Sequence, residues 1–435
     1  MYNDLLKLPA KRHQVFGVNY ALEHDWSVNG YTMGYGKSLI AVIISLKTKL
    51  KTVIICPAFL KINWQREFEK FSKKDLKIKI LYSKELNTFE PSDEDVIIMN
   101  YELTPRGEKI FQWGEFICMD ESHYLGNPSS QRTKATFKFC VKYLPERVLL
   151  LSGSPIRGRV GQWYVPIKLT GANPKCTSGR QWKERYTAFQ DTFSHYRMVQ
   201  VGSRQFKKYY GLKDEGALRN LLKDKFLRKC PDFELELPDL IHEDIEVDYD
   251  VEDKELQELF LEYEQNKKMS DHLSSAKKSN ALSKVPYTFK FVKNIIDAGE
   301  GPVVVYSDHI MPLGDLGALL EKAKISFTII QGSTPIEKRQ DYIDAFQAGD
   351  TDVFLATIGA ASTGITLTRA NKLVFNDLSW INTENEQALK RIHRISQDRH
   401  CIIYYILSGK VDKMIRKIIK EKDSVIRKSV DYNNL

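Results

Sequence analysis

The chain has 435 residues, 42% of them hydrophobic, which suffices for two or three domains with full cores. Its net charge of +9 points toward a polyanionic partner without requiring one. No run of about 20 apolar residues exists, the opening MYNDLLKLPAK lacks the apolar core and cleavage site of a signal peptide, and the six cysteines stand singly with no CxxC pair. A membrane span, an export signal and a zinc or disulfide framework are therefore not expected, and the protein is expected in the cytosol.

Short β-branched runs alternate with helical stretches twice over. The first set is Thr52–Cys56, Lys77–Leu81, Asp95–Met99, Phe116–Asp120 and Arg147–Leu151. The second is Pro302–Tyr306, Phe327–Ile330, Asp352–Ala356, Lys372–Asn376 and Cys401–Ile406. Continuous apolar runs suit strands buried on both faces of a parallel sheet, and strand-helix alternation suits right-handed βαβ units. The reading is α/β, with doubly wound parallel-sheet domains over residues 1–155 and 286–435. A mostly helical insertion and linker is expected over 156–285, where Trp182, Tyr186, Phe189, Phe193, Tyr196, Phe206, Tyr209 and Tyr210 sit among Arg and Lys.

Three segments carry chemistry. Tyr31–Ser38 reads YTMGYGKS, close to the phosphate-loop pattern GxxxxGK[ST] with Tyr31 at the first glycine position. Gly34 and Gly36 let the backbone curl so that its amides face phosphate oxygens, and the following helix adds its positive end. Lys37 would contact the β and γ phosphates and Ser38 would hold Mg²⁺. A glycine-rich turn before a helix is the plain alternative. Asp120 and Glu121 end the apolar run FICM, and a carboxylate at the tip of a parallel strand faces the ligand crevice. Asp120 would hold Mg²⁺ and Glu121 would orient and deprotonate the attacking water. Gln387–Gln397, QALKRIHRISQ, reads as an amphipathic helix. Ala388, Ile392 and Ile395 form its apolar stripe, while Gln387, Arg391 and Arg394 form a second stripe that would bring guanidinium groups to a γ-phosphate. An ordinary basic helix is the alternative.

These segments resemble, in order and over nearly the whole chain, superfamily 2 helicases and more closely the Swi/Snf-type translocases. KRHQVFGVNYAL (Lys11–Leu22) is similar to the entry segment that bears Gln14 at the adenine-reading position. Cys56–Phe71, Asn100–Glu102, Asp120–His123, Leu151–Pro155, Leu227–Lys229, Gln331–Gly332 with Arg339, Thr357–Leu367 and Gln387–Gln397 follow the family's motif order. The resemblance implies two RecA-like domains with ATP hydrolysed in the cleft between them, ATP and Mg²⁺ as cofactors, and DNA as a sequence-independent partner. It implies nucleotide contacts from Gln14, Gly34, Tyr35, Gly36, Lys37, Ser38, Asp120 and Gly364. It implies DNA contacts from Lys61, Asn63, Trp64, Tyr101, Ser333, Thr334 and Thr363, although Trp64 reads equally well as core.

The Trp182–Tyr186 and Tyr210-Gly211 segments look most like the annealing-helicase branch, and the short chain is similar to minimal phage- or bacterium-encoded members. The chain departs from the family at Tyr31 and Thr32, where an acidic pair is usual, at Ser38, where Thr is usual, and at Gly158, where Asn is common. The expected activity is ATP-driven translocation or unwinding on duplex or branched DNA. A non-catalytic nucleic-acid clamp and a translocase that remodels protein–DNA complexes are the alternatives.

Overall fold

The computed structural model describes residues 2–157, 159–171, 180–201, 204–231, 233, 236–247, 271–361 and 365–430. The chain divides into two compact units, residues 1–234 with 423–435, and residues 235–422. No described helix is long and apolar enough to cross a membrane.

The first unit contains β1 (Trp26–Asn29), β2 (Thr52–Cys56), β3 (Ile78–Ile80), β4 (Val96–Asn100), β5 (Phe116–Asp120), β6 (Arg147–Leu151), β7 (His195–Val201), β8 (Arg204–Tyr210) and β9 (Phe226–Leu227). Seven of these form one sheet in the order β3-β4-β2-β5-β6-β1-β9, and every pairing is parallel. Alternation along β2 shows why its sequence is unbroken apolar. Val53 and Ile55 enter the core on one face, while Ile54 and Cys56 enter the core on the other. The strand order places the C-terminal ends of β1, β6 and β5 side by side, and the chemistry-bearing loops leave from those ends. β7 and β8 stand apart as an antiparallel two-stranded ribbon.

The second unit contains β10 (Leu240–Val247), β11 (Val303–Ser307), β12 (Phe327–Ile330), β13 (Val353–Thr357), β14 (Lys372–Phe375) and β15 (Cys401–Ser408). They form a parallel sheet in the order β10-β15-β14-β11-β13-β12. Here too the strand residues alternate between two cores, with Val303 and Val305 on one side and Val304 and Tyr306 on the other. The Lys284 ammonium is fully buried and donates to both Asp412 carboxylate oxygens and to the Ile406 carbonyl. Asn280 and the Ser408 amide complete that carboxylate's shell. A buried ion pair of this kind persists only because its remaining bonding capacity is met.

All ten expected strands are present within a residue or two at their ends. The stretch 156–285, expected as a mostly helical insertion and linker, contains helices and strands. Its described residues include helices Tyr164–Thr170, Arg180–Phe193, Glu215–Leu222 and Asp271–Ser283, but also the ribbon and two edge strands. β9 extends the first sheet beside β1, and β10 extends the second beside β15.

Candidate functional site

The phosphate-loop segment leaves β1 and enters helix Lys37–Thr48. Gly34 and Gly36 adopt positive φ of 85° and 70°, which lets the loop curl back over the helix start. A side chain at Gly36 would lie 2.2 Å from the Gln14 amide nitrogen, so Gln14 sits directly against the loop. The Lys37 ammonium donates to the carbonyls of Tyr31 and Thr32 at 2.9 and 3.2 Å, within the loop itself. Arg228, just past β9, donates to the carbonyls of Gly30 and Gly153, tying the bases of two neighbouring loops together.

The departure at Tyr31 has a structural reason. Its ring is fully buried, and its hydroxyl donates 2.9 Å to the His13 carbonyl on helix Arg12–Glu23. His13 in turn reaches the Tyr35 carbonyl at 2.9 Å and stacks on Phe233 at 4.1 Å. Burial holds the His13 imidazole below its ordinary pKa, which favours the neutral ring these contacts suit. An aromatic strut thus joins the Gln14-bearing helix to the loop where an acidic pair is usual.

Asp120 ends β5, and burial raises its carboxyl well above the ordinary range, with the Glu121 charge adding to the effect. The Lys37 ammonium and a hydrogen bond from the Trp64 indole oppose that shift. The indole N–H donates to the Asp120 carboxylate at 3.0 Å, and the Tyr101 hydroxyl donates to its carbonyl at 2.8 Å. Trp64 and Tyr101 are therefore braces of the carboxylate, both buried. Lys61 is buried as well, with its ammonium on the Leu81 carbonyl at 3.0 Å and over the Tyr82 ring. Helix Lys61–Phe71 turns Lys61 and Trp64 inward against the sheet, and Tyr101 opens the separate turn Tyr101–Arg106 after β4, so the three side chains expected at the DNA are buried in this structure. Asn63 on the same helix is half-buried.

Glu121 sits in the left-handed region, φ 51° and ψ 50°, which a non-glycine residue adopts only where its surroundings impose it. Its carboxylate lies 3.2 Å from His123 Nδ1. That nitrogen also meets Ser152 at the end of β6, while His123 Nε2 lies 2.7 Å from the Arg157 guanidinium. A guanidinium only donates, so Nε2 accepts and the proton is assigned to Nδ1, facing Glu121. This Glu121–His123–Arg157 chain was missed from sequence, where Arg157 in SGSPIRGR carries no signal of its own.

Phosphate and Mg²⁺ fit this edge of the sheet. Two left-handed glycines, a helix start and one ammonium make a cradle for phosphate. Ser38 and Asp120 supply the hard oxygen donors that Mg²⁺ prefers.

In the second unit helix Asn382–Leu389 stops before the arginines, which corrects the expected helix through residue 397. Residues 390–396 form turns and bends instead. Gln397 spends its amide N–H groups on the carbonyls of Thr368, Ala370 and Ile392, and the Arg391 carbonyl accepts from the Leu367 amide. Ala388 and Ile392 pack in the core, but Ile395 is exposed. Gln387 and Arg391 are buried, and the Arg394 guanidinium donates to the Ile365 carbonyl at 3.1 Å and to the Thr366 hydroxyl at 2.6 Å. Ser333 is exposed and Thr334 half-buried in a turn pinned by Arg339, whose guanidinium donates to the carbonyls of Gln331, Gly332 and Thr334. Thr363 and Gly364 lie outside the described residues.

A glycine-rich phosphate loop and a carboxylate pair on one parallel sheet, followed in the same chain by a second parallel-sheet unit with clustered arginines, define a two-unit protein of the phosphate-loop class. Residues 13–291 match the SNF2-related domain and residues 287–396 match the helicase conserved C-terminal domain, so the chain belongs to the SNF2-related family. It is 26% identical over 453 residues to the DNA annealing helicase and endonuclease ZRANB3 of Bos taurus, covering 97% of this chain and 40% of that protein. It is also 26% identical over 432 residues to the SWI/SNF-related matrix-associated actin-dependent regulator of chromatin subfamily A-like protein 1 homolog of Caenorhabditis elegans, covering 95% of this chain and 61% of that protein. The chain thus spans about half the length of these curated relatives. The Sulfolobus solfataricus SWI2/SNF2 ATPase core in complex with dsDNA is 19% identical with a TM-score of 0.44, covering 99% of this chain and 94% of that one.

Proposed function

We propose that the protein is an ATP-dependent DNA translocase or helicase that acts on duplex or branched DNA. The observation that carries this reading is the convergence of Lys37, Asp120 and Glu121 at one sheet edge, in a chain of the SNF2-related family. Among the relatives, names that include DNA annealing helicase support a branched substrate. In this proposal Gln14, Gly34, Tyr35, Gly36 and Lys37 hold the nucleotide, Ser38 and Asp120 hold Mg²⁺, and Arg391 and Arg394 act on the γ-phosphate. The metal, when bound, neutralises charge on the β and γ phosphates. Glu121 accepts a proton from the attacking water, with His123 Nδ1 3.2 Å from that carboxylate. Asn63, Ser333 and Thr334, with Thr363, contact the DNA backbone. The working location is the cytoplasm, in association with DNA.

Replacing Glu121 with Gln is expected to keep nucleotide and Mg²⁺ binding while stopping hydrolysis, because the amide cannot take the proton. Equilibrium nucleotide titration beside phosphate release separates the two effects. Loss of nucleotide binding in that variant would assign Glu121 a structural role.

The test of the functional reading is ATP turnover with single-stranded, duplex and forked DNA, alongside DNA affinity over a range of salt. Turnover should rise with DNA. Affinity should fall linearly on a log-log plot, with each neutralised phosphate contributing a slope of about −0.7 to −0.9, and should vary little with sequence. Turnover indifferent to every DNA, or a base-specific and salt-insensitive affinity, would overturn it. ATP-independent binding of the same DNA set with no turnover would favour the clamp reading instead.

A further inference from the structure

The ribbon formed by β7 and β8 is used by neither the nucleotide site nor the main sheet. A two-stranded hairpin is marginal by itself in water. This one is secured through one face. Lys207 and Tyr209 both bond to Asp191 on helix Arg180–Phe193, at 2.8 and 2.9 Å, and the Lys207 ammonium covers the Tyr196 ring at 4.4 Å.

The pairing register shows what the other face presents. His195 lies opposite Tyr210, Arg197 opposite Lys208, and Val199 opposite Phe206. Directly opposed strand residues share a face, so Phe206, Lys208 and Tyr210 line one strand with Arg197 beside Lys208. Phe206 and Tyr210 are 50% and 56% exposed, so both rings reach solvent. Their positions are about 13 Å apart along the strand, with the cation midway.

The charge is one-sided. Residues 195–210 contain Arg197, Arg204, Lys207 and Lys208 and no Asp or Glu. A polyanion spanning Arg197 and Lys208 would meet two cations side by side. An aromatic–cation–aromatic alternation matches the base–phosphate–base alternation of a single strand. Ring faces can stack only on bases whose faces are open, as in a single strand or at the branch of a fork.

We propose that this outer face of the β7–β8 ribbon binds unpaired nucleotides and directs the protein to DNA with a single-stranded arm. The proposal rests on the reading that DNA is the partner, and it supplies the feature by which a branched substrate is told from plain duplex.

The experiment measures affinity by fluorescence anisotropy for a labelled fork with single-stranded arms, an oligo-dT strand and a blunt duplex. The double variant Phe206→Ala/Tyr210→Ala should bind the fork and the single strand at least about ten-fold more weakly, since each lost stacking contact is of that order. Its affinity for the blunt duplex should change less than two-fold. Arg197→Ala/Lys208→Ala should lower the salt slope on the single strand by about 1.4. Met198→Ala, a change on the opposite face, should leave the preference for the fork intact. Both rings are exposed, so circular dichroism should show the double variant folded. Should it unfold, Phe206→Trp with Tyr210→Trp keeps the test alive by retaining or strengthening fork affinity. Unchanged fork preference in the double alanine variant, or displacement of the fork by poly-glutamate as readily as by oligo-dT, would overturn the ribbon's role. A wild-type protein that neither binds DNA nor raises its turnover with it would instead overturn the functional reading itself.

Discussion

Replacing Lys37 with Ala should abolish ATP turnover. In the first unit the Lys37 ammonium projects from the start of helix Lys37–Thr48 onto the curled loop and lies close enough to Asp120 to lower that carboxyl's pKa. The loop amides give direction to the β and γ phosphates but carry no full charge, and alanine leaves them without a fixed cation. Removing one preorganised donor from a reaction centre commonly costs about 10²–10³ in rate, and a charged donor belongs at or beyond the top of that range. Asp120 should lose its compensating charge at the same time and hold its proton more tightly, since burial and Glu121 already raise it. Phosphate release under saturating ATP gives the rate, and thermal unfolding shows that the fold survives. Turnover at the wild-type rate would remove the phosphate-loop assignment.

Alanine at Arg391 or Arg394 should cut the catalytic rate by about 10³ to 10⁵, the contribution of arginine fingers in phosphoryl transfer, while ATP affinity falls much less. Lysine should rescue poorly, because an ammonium lacks the planar fork that reaches two oxygens at once. The two positions should differ in stability. Arg394 bonds to the Ile365 carbonyl and the Thr366 hydroxyl, so its removal also loses two part-buried hydrogen bonds, at about 0.5–1.5 kcal/mol each. DNA stimulation of turnover should vanish in both variants. Full DNA-stimulated turnover in both single variants would reduce residues 390–397 to a packing element.

Local sequence carries some of these features and not others. The ten expected strands were legible because strands buried on both faces need unbroken apolar runs, as Val53–Cys56 and Val303–Tyr306 display. β1, with Ser27 and Asn29 among four residues, gives no such run, yet Asn29 is buried and accepts from the Tyr31 amide. The segment after Leu389 has helical periodicity, but its hydrogen bonds go to distant carbonyls through Gln397 and His393, and tertiary partners override local preference there. The inward turn of Lys61 and Tyr101 was invisible for a related reason. A lysine stem and a tyrosine ring bury well once their polar tips find a partner, and those partners, the carbonyls of Leu81 and Asp120, lie 20 and 19 residues away. Lys37 and Ser38 at a helix start, and Asp120 and Glu121 at the end of a strand, could be placed from sequence because the glycine-rich turn and the apolar run before them are local signals. The His123–Arg157 bond was not, since it depends on two loops meeting in space.

The buried Lys284–Asp412 pair sets where the protein can be dissected. The helicase conserved C-terminal domain begins at residue 287, three residues past that lysine. A fragment cut at that boundary would keep Asp412 and the Ser408 amide but discard both Lys284 and Asn280. It would strand a carboxylate in the interior, and removing one partner of such a pair costs about 3–5 kcal/mol, a large share of the stability of an ordinary domain. Helix Asp271–Ser283 therefore belongs physically to the second unit, and an autonomous second half has to begin at or before it.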